Sequence, residues 1–383
     1  MRVPAKSIPD ARLQALLRLK WLDLRPVVAP GYELAYELLA TNICGQVFVG
    51  DDFLLRVRPK VAVGNLFRML ELVYGLKSFR FGDGLVHIEA LADLYERLAL
   101  ILSRRVMDRA RWGLYRDYVN EQSALGYVRG RLDLRESARL LAAGAAAVHC
   151  EYQDHTSDIT ENQILAWTLD ALSRAAIQRD DVRLMVRRAR RTLVGAVSLR
   201  PVSPAECRHR RYTRLNDDYR PLHGLCRFFL ESLGPGIEKG TREVMPYTVN
   251  MAQLFESYVA EWLRRHGPSA VHFGVQHALR LVGTTTIEWN VDILVRDAAT
   301  DSPVAVLDTK YKSMGTPAAS DIQQVVSYAV ETGVQRAFLV YPTRNIEPFQ
   351  VKVGNVVVRS VGFDISGDLE AAGNDLLAQI GVA

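Results

Sequence analysis

Two apolar segments separated by a polar turn occupy residues 286–312, TIEWNVDILVRDAATDSPVAVLDTKYK, and they decide the fold of the C-terminal part of the chain. Apolar and β-branched residues dominate 286–296 and again 304–311, whereas small and polar residues fill 298–302. Such runs bounded by turn residues are typical of consecutive strands. The stretch therefore predicts two neighbouring strands.

Three charged side chains interrupt these two strands. Asp292 lies in the middle of the first apolar run, and Asp308 and Lys310 lie at the end of the second. Because side chains alternate along a strand, Asp308 and Lys310 project from the same face. If the two strands are adjacent, all three side chains converge on one point. Strand-end caps and a surface ion pair are the alternative, but they leave an acid inside an apolar strand unexplained.

Such a convergence predicts a site for a hard divalent cation. Asp292, Asp308 and the carbonyl of Thr309 offer oxygen ligands, which suit Mg²⁺ or Mn²⁺. A bound metal would lower the pKa of a water molecule and stabilise charge on a phosphate. Lys310 would orient or deprotonate that water and offset the developing charge.

The elements predicted around this pair of strands alternate between helix and strand. The pattern indicates a helix at residues 251–265, a strand at 279–283, a helix at 319–331 and a strand at 336–341. Glu256 lies off the apolar stripe of the first helix, where it is available to complete the second shell of a metal or to bind another water. Gln324 and Tyr328 are four residues apart and so share one face of the second helix.

The rest of the chain predicts two further regions. Residues 1–90 read as a small α+β module, with hairpins at 46–59 and 79–88 and a helix at 65–75. From residue 91 to about 240 the apolar period becomes helical, and glycines and a proline at 234–241 predict a linker. The expected organisation is therefore multidomain α+β: residues 1–90, a helical middle region at 91–240, and an α/β domain at 246–383.

Composition indicates the cellular compartment in which we expect this protein. Of 383 residues 49% are hydrophobic, no apolar run is long enough to span a bilayer, and no apolar segment follows the N-terminal charges. We therefore expect a cytoplasmic protein with no membrane partner. The four cysteines lie far apart without a CxxC pair, so neither a zinc site nor a disulfide framework is indicated.

Positive charge is concentrated upstream of the acidic strands. Residues 246–383 carry 10 Lys+Arg against 14 Asp+Glu, a net charge of −4, whereas the preceding residues carry +9. Residues 183–214 hold ten arginines and one acid, which is either a solvated basic face or a surface that binds DNA phosphates. The candidate DNA-binding residues are Arg187, Arg188, Arg190, Arg191, Arg208, Arg210, Arg211 and Arg214.

The charged motifs resemble a known family. Leu254-Phe255-Glu256, Val291-Asp292-Ile293, Asp308-Thr309-Lys310-Tyr311-Lys312, and Gln324 with Tyr328 are similar to the PD-(D/E)XK nuclease set with its QxxxY helix. The Asp-x-Lys-Tyr-Lys form resembles McrC, the cleavage subunit of methylcytosine-dependent restriction systems. Shorter upstream matches extend the resemblance over nearly the whole chain: Arg56-Val57-Arg58-Pro59-Lys60, Arg129-Gly130-Arg131, Thr160-Glu161-Asn162 and Arg214-Leu215-Asn216 through Tyr219. Val291 replaces the proline of the motif, and Gln323 stands where an aromatic residue often precedes the glutamine.

The resemblance implies a C-terminal PD-(D/E)XK α/β nuclease domain and a division of labour. An AAA+ GTPase of McrB type would recognise and translocate methylated DNA, the N-terminal part of this chain would dock on it, and this chain would cut. GTP would act only through the partner, since the chain has no G-x-x-x-x-G-K-[ST] motif. A stand-alone nuclease of repair or phage defence and a non-catalytic DNA-binding adaptor are the alternatives.

Overall fold

A computed structural model gives the fold. The residues that it describes are 2–19, 21–29, 33–49, 53–76, 91–208, 210–232, 247–282, 286–312, 317–343 and 348–382. They form ten α-helices and fifteen β-strands, which confirms the mixed α+β class. Their contacts divide the chain into two compact units: unit 1 is Met1–Leu94 with Pro246–Ala383, and unit 2 is Tyr95–Met245.

The N-terminal part of unit 1 consists of short strands and two helices. Its elements are β1 (Arg2–Pro4), α1 (Asp10–Leu17), β2 (Leu22–Ala29), β3 (Glu33–Ala40), β4 (Ile43–Val49), β5 (Phe53–Val57) and α2 (Val63–Val73). β3 lies between β1 and β2, and β4 pairs antiparallel with β5. The hairpin predicted at 46–59 and the helix predicted at 65–75 are confirmed. The hairpin predicted at 79–88 lies outside the described residues.

Unit 2 is not helical throughout. Its elements are most of α3 (Leu91–Trp112), β6 (Asp117–Leu125), β7 (Arg131–Leu132), α4 (Leu134–Ala142), β8 (Val148–Thr156), α5 (Thr160–Arg174), α6 (Asp180–Leu193) and α7 (Tyr219–Ser232). β8 pairs with both β6 and β7. The prediction of a helical middle region missed this sheet, because the mostly polar and exposed sequence of β6 shows no apolar alternation. The predicted linker at 234–241 lies outside the described residues.

The C-terminal part of unit 1 is built on a six-stranded sheet. Its elements are β9 (Tyr247–Asn250), α8 (Met251–His266), β10 (Val271–Val282), β11 (Thr286–Asp297), β12 (Pro303–Thr309), α9 (Ala319–Thr332), β13 (Arg336–Tyr341), β14 (Gln350–Val353), β15 (Val356–Gly362) and α10 (Leu369–Ile380). The strand order is β10-β11-β12-β13-β15-β14. β10, β11 and β12 form an antiparallel meander, and β12, β13 and β15 run parallel. β10 begins at Val271, before the start of the strand predicted at 279–283.

Local signals in the sequence set the ends of the helices that flank this sheet. The Asn250 side chain accepts hydrogen bonds from the backbone N–H groups of Ala252 and Gln253, so it caps the start of α8. Gly333 ends α9 in the left-handed conformation that glycine adopts without strain. The apolar stripe of α8 is buried, and its Trp262 is only 1% exposed.

The N-terminal strands and the C-terminal sheet belong to the same unit. β9 pairs antiparallel with β4, and α2 packs against α8. Asn65 at the start of α2 donates hydrogen bonds of 2.9 Å to the carbonyls of Ile365 and Gly367. This grouping differs from the predicted separation of residues 1–90 from residues 246–383. Within the described part of the chain, none of the helices combines the length and apolarity needed to cross a membrane.

Candidate active site

Asp292 and Asp308 lie on neighbouring strands of the six-stranded sheet. β11 and β12 are antiparallel with Ile293 opposite Leu307, so the next step of the register brings Asp292 opposite Asp308. Side chains of opposite residues in an antiparallel pair point to the same face. The adjacency on which the predicted convergence depends is therefore present.

Asp292 is held by the residue that follows Asp308. Its Oδ2 accepts a hydrogen bond of 2.7 Å from the backbone N–H of Thr309 and one of 2.8 Å from the Thr309 hydroxyl. Burial raises the pKa of Asp292 above its ordinary value, although these two bonds and the charge of Lys310 oppose the rise. The carboxylate is thus oriented but poorly solvated.

Asp308 is the more deeply buried acid, with 1% of its surface exposed. Burial and then the neighbouring charge of Asp292 raise its pKa from 3.8 to about 7, against the opposing effect of Lys310. Lys310 Nζ lies 2.7 Å from Asp308 Oδ2 as an ion pair. That contact lacks the geometry of a hydrogen bond, so the buried Oδ2 has no hydrogen-bond donor among the described residues.

Lys310 lies among acids and an amide. Besides its contact with Asp308, its Nζ donates a hydrogen bond of 2.9 Å to Gln324 Oε1 and lies 3.8 Å from Asp321 Oδ1. Burial lowers the pKa of Lys310, but Asp308, Asp321 and Asp292 more than offset this effect and the pKa is raised. Lys310 is therefore an ammonium ion at neutral pH.

The Gln324–Tyr328 pair on α9 meets the same lysine. Gln324 Nε2 donates a hydrogen bond of 2.7 Å to the Tyr328 hydroxyl, while its Oε1 accepts from Lys310. The Tyr328 ring packs edge-on against Trp289 of β11, with centroids 5.9 Å apart. A side chain on α9 therefore fixes the orientation of the amide, and the amide fixes the position of the ammonium group.

Asp321 was missed in the sequence, although a signal for it exists. It is 6% exposed and accepts hydrogen bonds of 3.0 and 2.8 Å from Lys312 Nζ. Asp321 precedes Gln324 by three residues, which is one turn of α9, so both side chains share a helix face. The same spacing rule that paired Gln324 with Tyr328 would have found it.

Glu256 of α8 is tied to Gln276 of β10. Gln276 Nε2 donates a hydrogen bond of 3.3 Å to Glu256 Oε1. Gln276 lies opposite Asp292, since Val275 pairs with Ile293 and His277 with Val291, and its backbone has φ +48°. The unusual backbone angle therefore falls directly beside Asp292, without any shift in the register of the two strands. No periodicity argument could have found this residue.

The donors present fit a small, hard cation better than a soft one. The described residues contain no cluster of three or more His, Cys, Asp or Glu side chains placed to hold a metal, so Asp292 and Asp308 act as a pair. Asp308 is buried, and its Oδ2 already contacts the Lys310 ammonium, so a metal at this site would lie next to the lysine. Two carboxylates with waters in the remaining positions are the usual environment of Mg²⁺.

The eight candidate arginines divide into two groups in unit 2. Three of the arginines form ion pairs within unit 2: Arg190 with Asp170 at 2.8 Å, Arg208 with Glu231 at 3.0 Å, and Arg210 with Glu161. The exposed members are Arg187, Arg188, Arg191, Arg211 and Arg214. Arg187, Arg188 and Arg191 lie on α6.

Short upstream motifs meet in a buried polar network of unit 2. The hydroxyl of the fully buried Tyr219 donates a hydrogen bond of 2.7 Å to Asn162 Oδ1. Asn162 Nδ2 in turn donates to the carbonyls of Tyr115 and Ser157. These satisfied bonds give the motif residues a structural role in joining α5 to α7.

The fold and the site define a mixed α+β protein in which two acids of adjacent strands lie close to a lysine just beyond the end of one of them. A family model described as "McrBC 5-methylcytosine restriction system component" matches residues 38–342. The chain belongs to this McrBC family.

Individual relatives are distant in sequence. The type IV methyl-directed restriction enzyme EcoKMcrBC of Escherichia coli (strain K12) is 22% identical over 219 residues, which are 56% of this chain and 62% of that protein. A chain of the half-complex of Thermococcus gammatolerans McrB AAA+ hexamers with bound McrC aligns with a TM-score of 0.53 and 18% identity, covering 100% of this chain and 97% of that one. A chain of the Thermococcus gammatolerans McrBC complex aligns over 69% of this chain and 85% of its own length, with a TM-score of 0.41 and 19% identity. The first structural likeness concerns the fold alone.

Proposed function

We propose that this chain is the DNA-cleaving subunit of a modification-dependent restriction system, with a PD-(D/E)XK site that hydrolyses phosphodiester bonds in the presence of Mg²⁺ or Mn²⁺. The observation that carries the proposal is the contact of Lys310 with Asp308, on a strand adjacent to Asp292. Asp292, Asp308 and the Thr309 carbonyl are the residues that would hold the metal. When bound, the metal supplies an acidified water and charge stabilisation at the scissile phosphate.

The side chains around the metal site have separable roles in this proposal. Lys310 remains an ammonium ion, because neighbouring acids raise its pKa, so it binds the phosphate and positions water rather than removing a proton. Gln324 holds Lys310 in place, and Tyr328 holds Gln324. Glu256, with Gln276, completes the outer shell or binds a second water.

The buried acids argue against a non-catalytic adaptor. Burial raises the pKa of Asp308 from 3.8 to about 7, so its ionisation above pH 7 destabilises the fold on the order of 4 kcal/mol compared with an exposed carboxyl. An apolar residue in β12 would remove that cost. A metal ligand explains why the acid is present, whereas an adaptor that uses the fold only for packing does not.

The partner in this proposal is an AAA+ GTPase of McrB type. Family membership supports it, as does the likeness of the fold to a chain from an assembly described as McrB AAA+ hexamers with bound McrC. The Escherichia coli relative is described as methyl-directed, which supports methylated DNA as the substrate. GTP would act through the partner, and the exposed arginines of unit 2 would bind DNA phosphates.

The test separates DNA cleavage from binding of the AAA+ partner. Lys310→Ala should stop Mg²⁺-dependent cleavage of methylated DNA while the chain still binds the partner and stimulates its GTP hydrolysis. Lys352→Ala is the matched control, because Lys352 is an exposed lysine on β14 of the same sheet. Full cleavage by Lys310→Ala would contradict the assignment. Strong cleavage by the wild-type chain without any partner would favour the stand-alone nuclease.

A further inference from the structure

A cavity of about 560 Å³ lies in unit 1 between the N-terminal strands and the C-terminal sheet. Residues 40–44 and 57–61 form one wall, and Tyr311, Lys312 and Ile365 contribute to the other. Its volume falls within the range of about 300–1,000 Å³ that is usual for pockets that bind small ligands. We call it the basic cavity.

The charged residues that line the basic cavity are all positive. Three cations line it, Arg58, Lys60 and Lys312, and no acid is among its described lining residues. Arg58 and Lys60 are exposed to solvent on either side of Pro59, just beyond the end of β5. Lys312 is paired with Asp321, so Arg58 and Lys60 are the cations that select an anionic ligand. Arginine in particular pairs with phosphate through two parallel hydrogen bonds.

The remaining surface of the cavity is apolar with a few hydrogen-bonding groups. Ile43, Val61 and Ile365 line it together with the ring of Tyr311. An aromatic ring beside cations is the combination on which proteins bind unpaired nucleotides, with the base on the ring and the phosphate on the cations.

The basic cavity lies directly beside the candidate active site. Lys310, Tyr311 and Lys312 are consecutive, so at most about 7 Å of chain separates the first lysine from the second. Asp321 links the two sides, since its carboxylate lies 2.8 Å from Lys312 Nζ and 3.8 Å from Lys310 Nζ. The cavity and the candidate active site therefore share the carboxylate of Asp321.

We propose that the basic cavity binds one unpaired nucleotide of the DNA strand next to the scissile phosphate, with the base against Tyr311 and the phosphate on Arg58 and Lys60. The inference rests on the proposed nuclease function and deepens it. A cavity of this size admits a single nucleotide but not a duplex. The N-terminal part of the chain thereby supplies substrate contacts in addition to the partner docking predicted for it.

Binding of the dinucleotide pTpT to the full chain tests the proposal without relying on cleavage. The double variant Arg58→Ala/Lys60→Ala should bind pTpT at least about tenfold more weakly than the wild type, because neither cation remains to pair with the phosphate. The matched control is Lys352→Ala/Arg359→Ala, which removes two exposed cations of β14 and β15 outside the cavity. Equal weakening in both double variants, or no pTpT binding by the wild type, would overturn the proposal. Inorganic phosphate that competes as well as pTpT would reduce the cavity to a simple anion site and overturn the nucleotide assignment.

Photo-crosslinking tests the same contact with an unaltered cavity. DNA carrying 5-iododeoxyuridine at successive positions around the cleavage point is irradiated with the Asp308→Ala chain and its partner, and the labelled peptide is mapped. A crosslink on Tyr311 from one position only is expected. Crosslinks confined to other peptides would exclude the cavity even if the double variant failed to fold. If the wild type cleaves DNA but gives no Tyr311 crosslink, nucleotide binding in the basic cavity is refuted and the nuclease function stands. If the chain binds pTpT but never cleaves DNA, the nuclease function is refuted and nucleotide binding stands.

Discussion

Thr309 holds Asp292 through two hydrogen bonds to the same carboxylate oxygen, one from its backbone N–H at 2.7 Å and one from its hydroxyl at 2.8 Å. The residue between Asp308 and Lys310 thus fixes the acid of the neighbouring strand. Because both bonds go to Oδ2, Oδ1 is the oxygen that faces the metal in the proposed site. Asp308 and Thr309, which are consecutive in β12, therefore provide one of the two carboxylates and orient the other.

Replacing Thr309 with valine keeps the shape and the backbone bond but removes the hydroxyl bond. We expect the pKa of Asp292 to rise further and metal binding to weaken about tenfold, since a hydrogen bond to a charged group contributes roughly 1.5–3 kcal/mol. Calorimetric titration with Mn²⁺ measures the effect. Thr309→Ser retains the hydroxyl and should bind like the wild type; a Thr309→Val chain with wild-type affinity would show that the hydroxyl does not orient Asp292.

The raised pKa of Asp308 predicts that metal binding depends on pH. A carboxyl whose pKa is about 7 is mostly protonated at pH 6 and mostly ionised at pH 8, and a metal must displace that proton. The apparent affinity for Mg²⁺ should therefore be about tenfold higher at pH 8 than at pH 6, with proton release on binding. Titration in buffers of different ionisation heat measures both quantities. An affinity that does not change between these pH values would contradict the role of Asp308.

The same shift has a consequence for the stability of the metal-free chain. Because the folded pKa of Asp308 is above its unfolded value, the folded state binds more protons between about pH 4 and pH 7. The contribution of Asp308 to the free energy of unfolding therefore falls as pH rises through this window. Asp308→Asn cannot ionise, so its stability relative to the wild type should increase from pH 5 to pH 8 in denaturant titrations.

The exposed arginines of α6 should contribute to DNA binding through phosphates. Arg187→Gln/Arg188→Gln/Arg191→Gln is expected to reduce the slope of log affinity against log salt by about 0.9 for each phosphate that the variant no longer neutralises. Fluorescence anisotropy at several salt concentrations measures the slope. Arg190→Gln is the control, because Arg190 is paired with Asp170 and its removal should lower stability instead. An unchanged slope in the triple variant would make this stretch an ordinary solvated face.

The positive φ of Gln276 allows backbone strain and hydrogen bonding to be separated. A non-glycine residue at φ +48° is strained by on the order of 1 kcal/mol, and Gln276 also holds Glu256. Gln276→Gly should be more stable than Gln276→Ala by about that amount, yet both should lower cleavage several-fold if Glu256 must be held. Thermal unfolding and cleavage rates measure the two effects. Wild-type cleavage in both variants would remove Glu256 and Gln276 from the proposed outer shell.

Strong periodicity made the core of the site predictable from the sequence. α8 and α9 were predicted almost to their observed ends, because amphipathic stripes and cap residues define them locally. The shared face of Asp308 and Lys310 follows from strand geometry and was confirmed by their 2.7 Å contact. The convergence with Asp292 additionally required strand adjacency, which the short turn between the two strands made reasonable but did not establish.

Other features depend on tertiary context and could not be read from local patterns. β15 and α10 were not predicted, although β15 extends the parallel part of the sheet. The pairing of β4 with β9 joins residues some 200 positions apart, and the position of Gln276 opposite Asp292 follows only from the register of β10 against β11. The metal, the DNA contacts and the roles of the site residues remain predictions.

The central claim is that Asp292 and Asp308 bind the metal that cleaves DNA. The most direct measurement is Mg²⁺-dependent cleavage of methylated DNA by the wild type and by Asp308→Ala, each with the AAA+ partner and GTP. The account predicts at least a roughly hundredfold loss of cleavage in Asp308→Ala, with the same fold and the same stimulation of GTP hydrolysis. Cleavage by Asp308→Ala at the wild-type rate would contradict it.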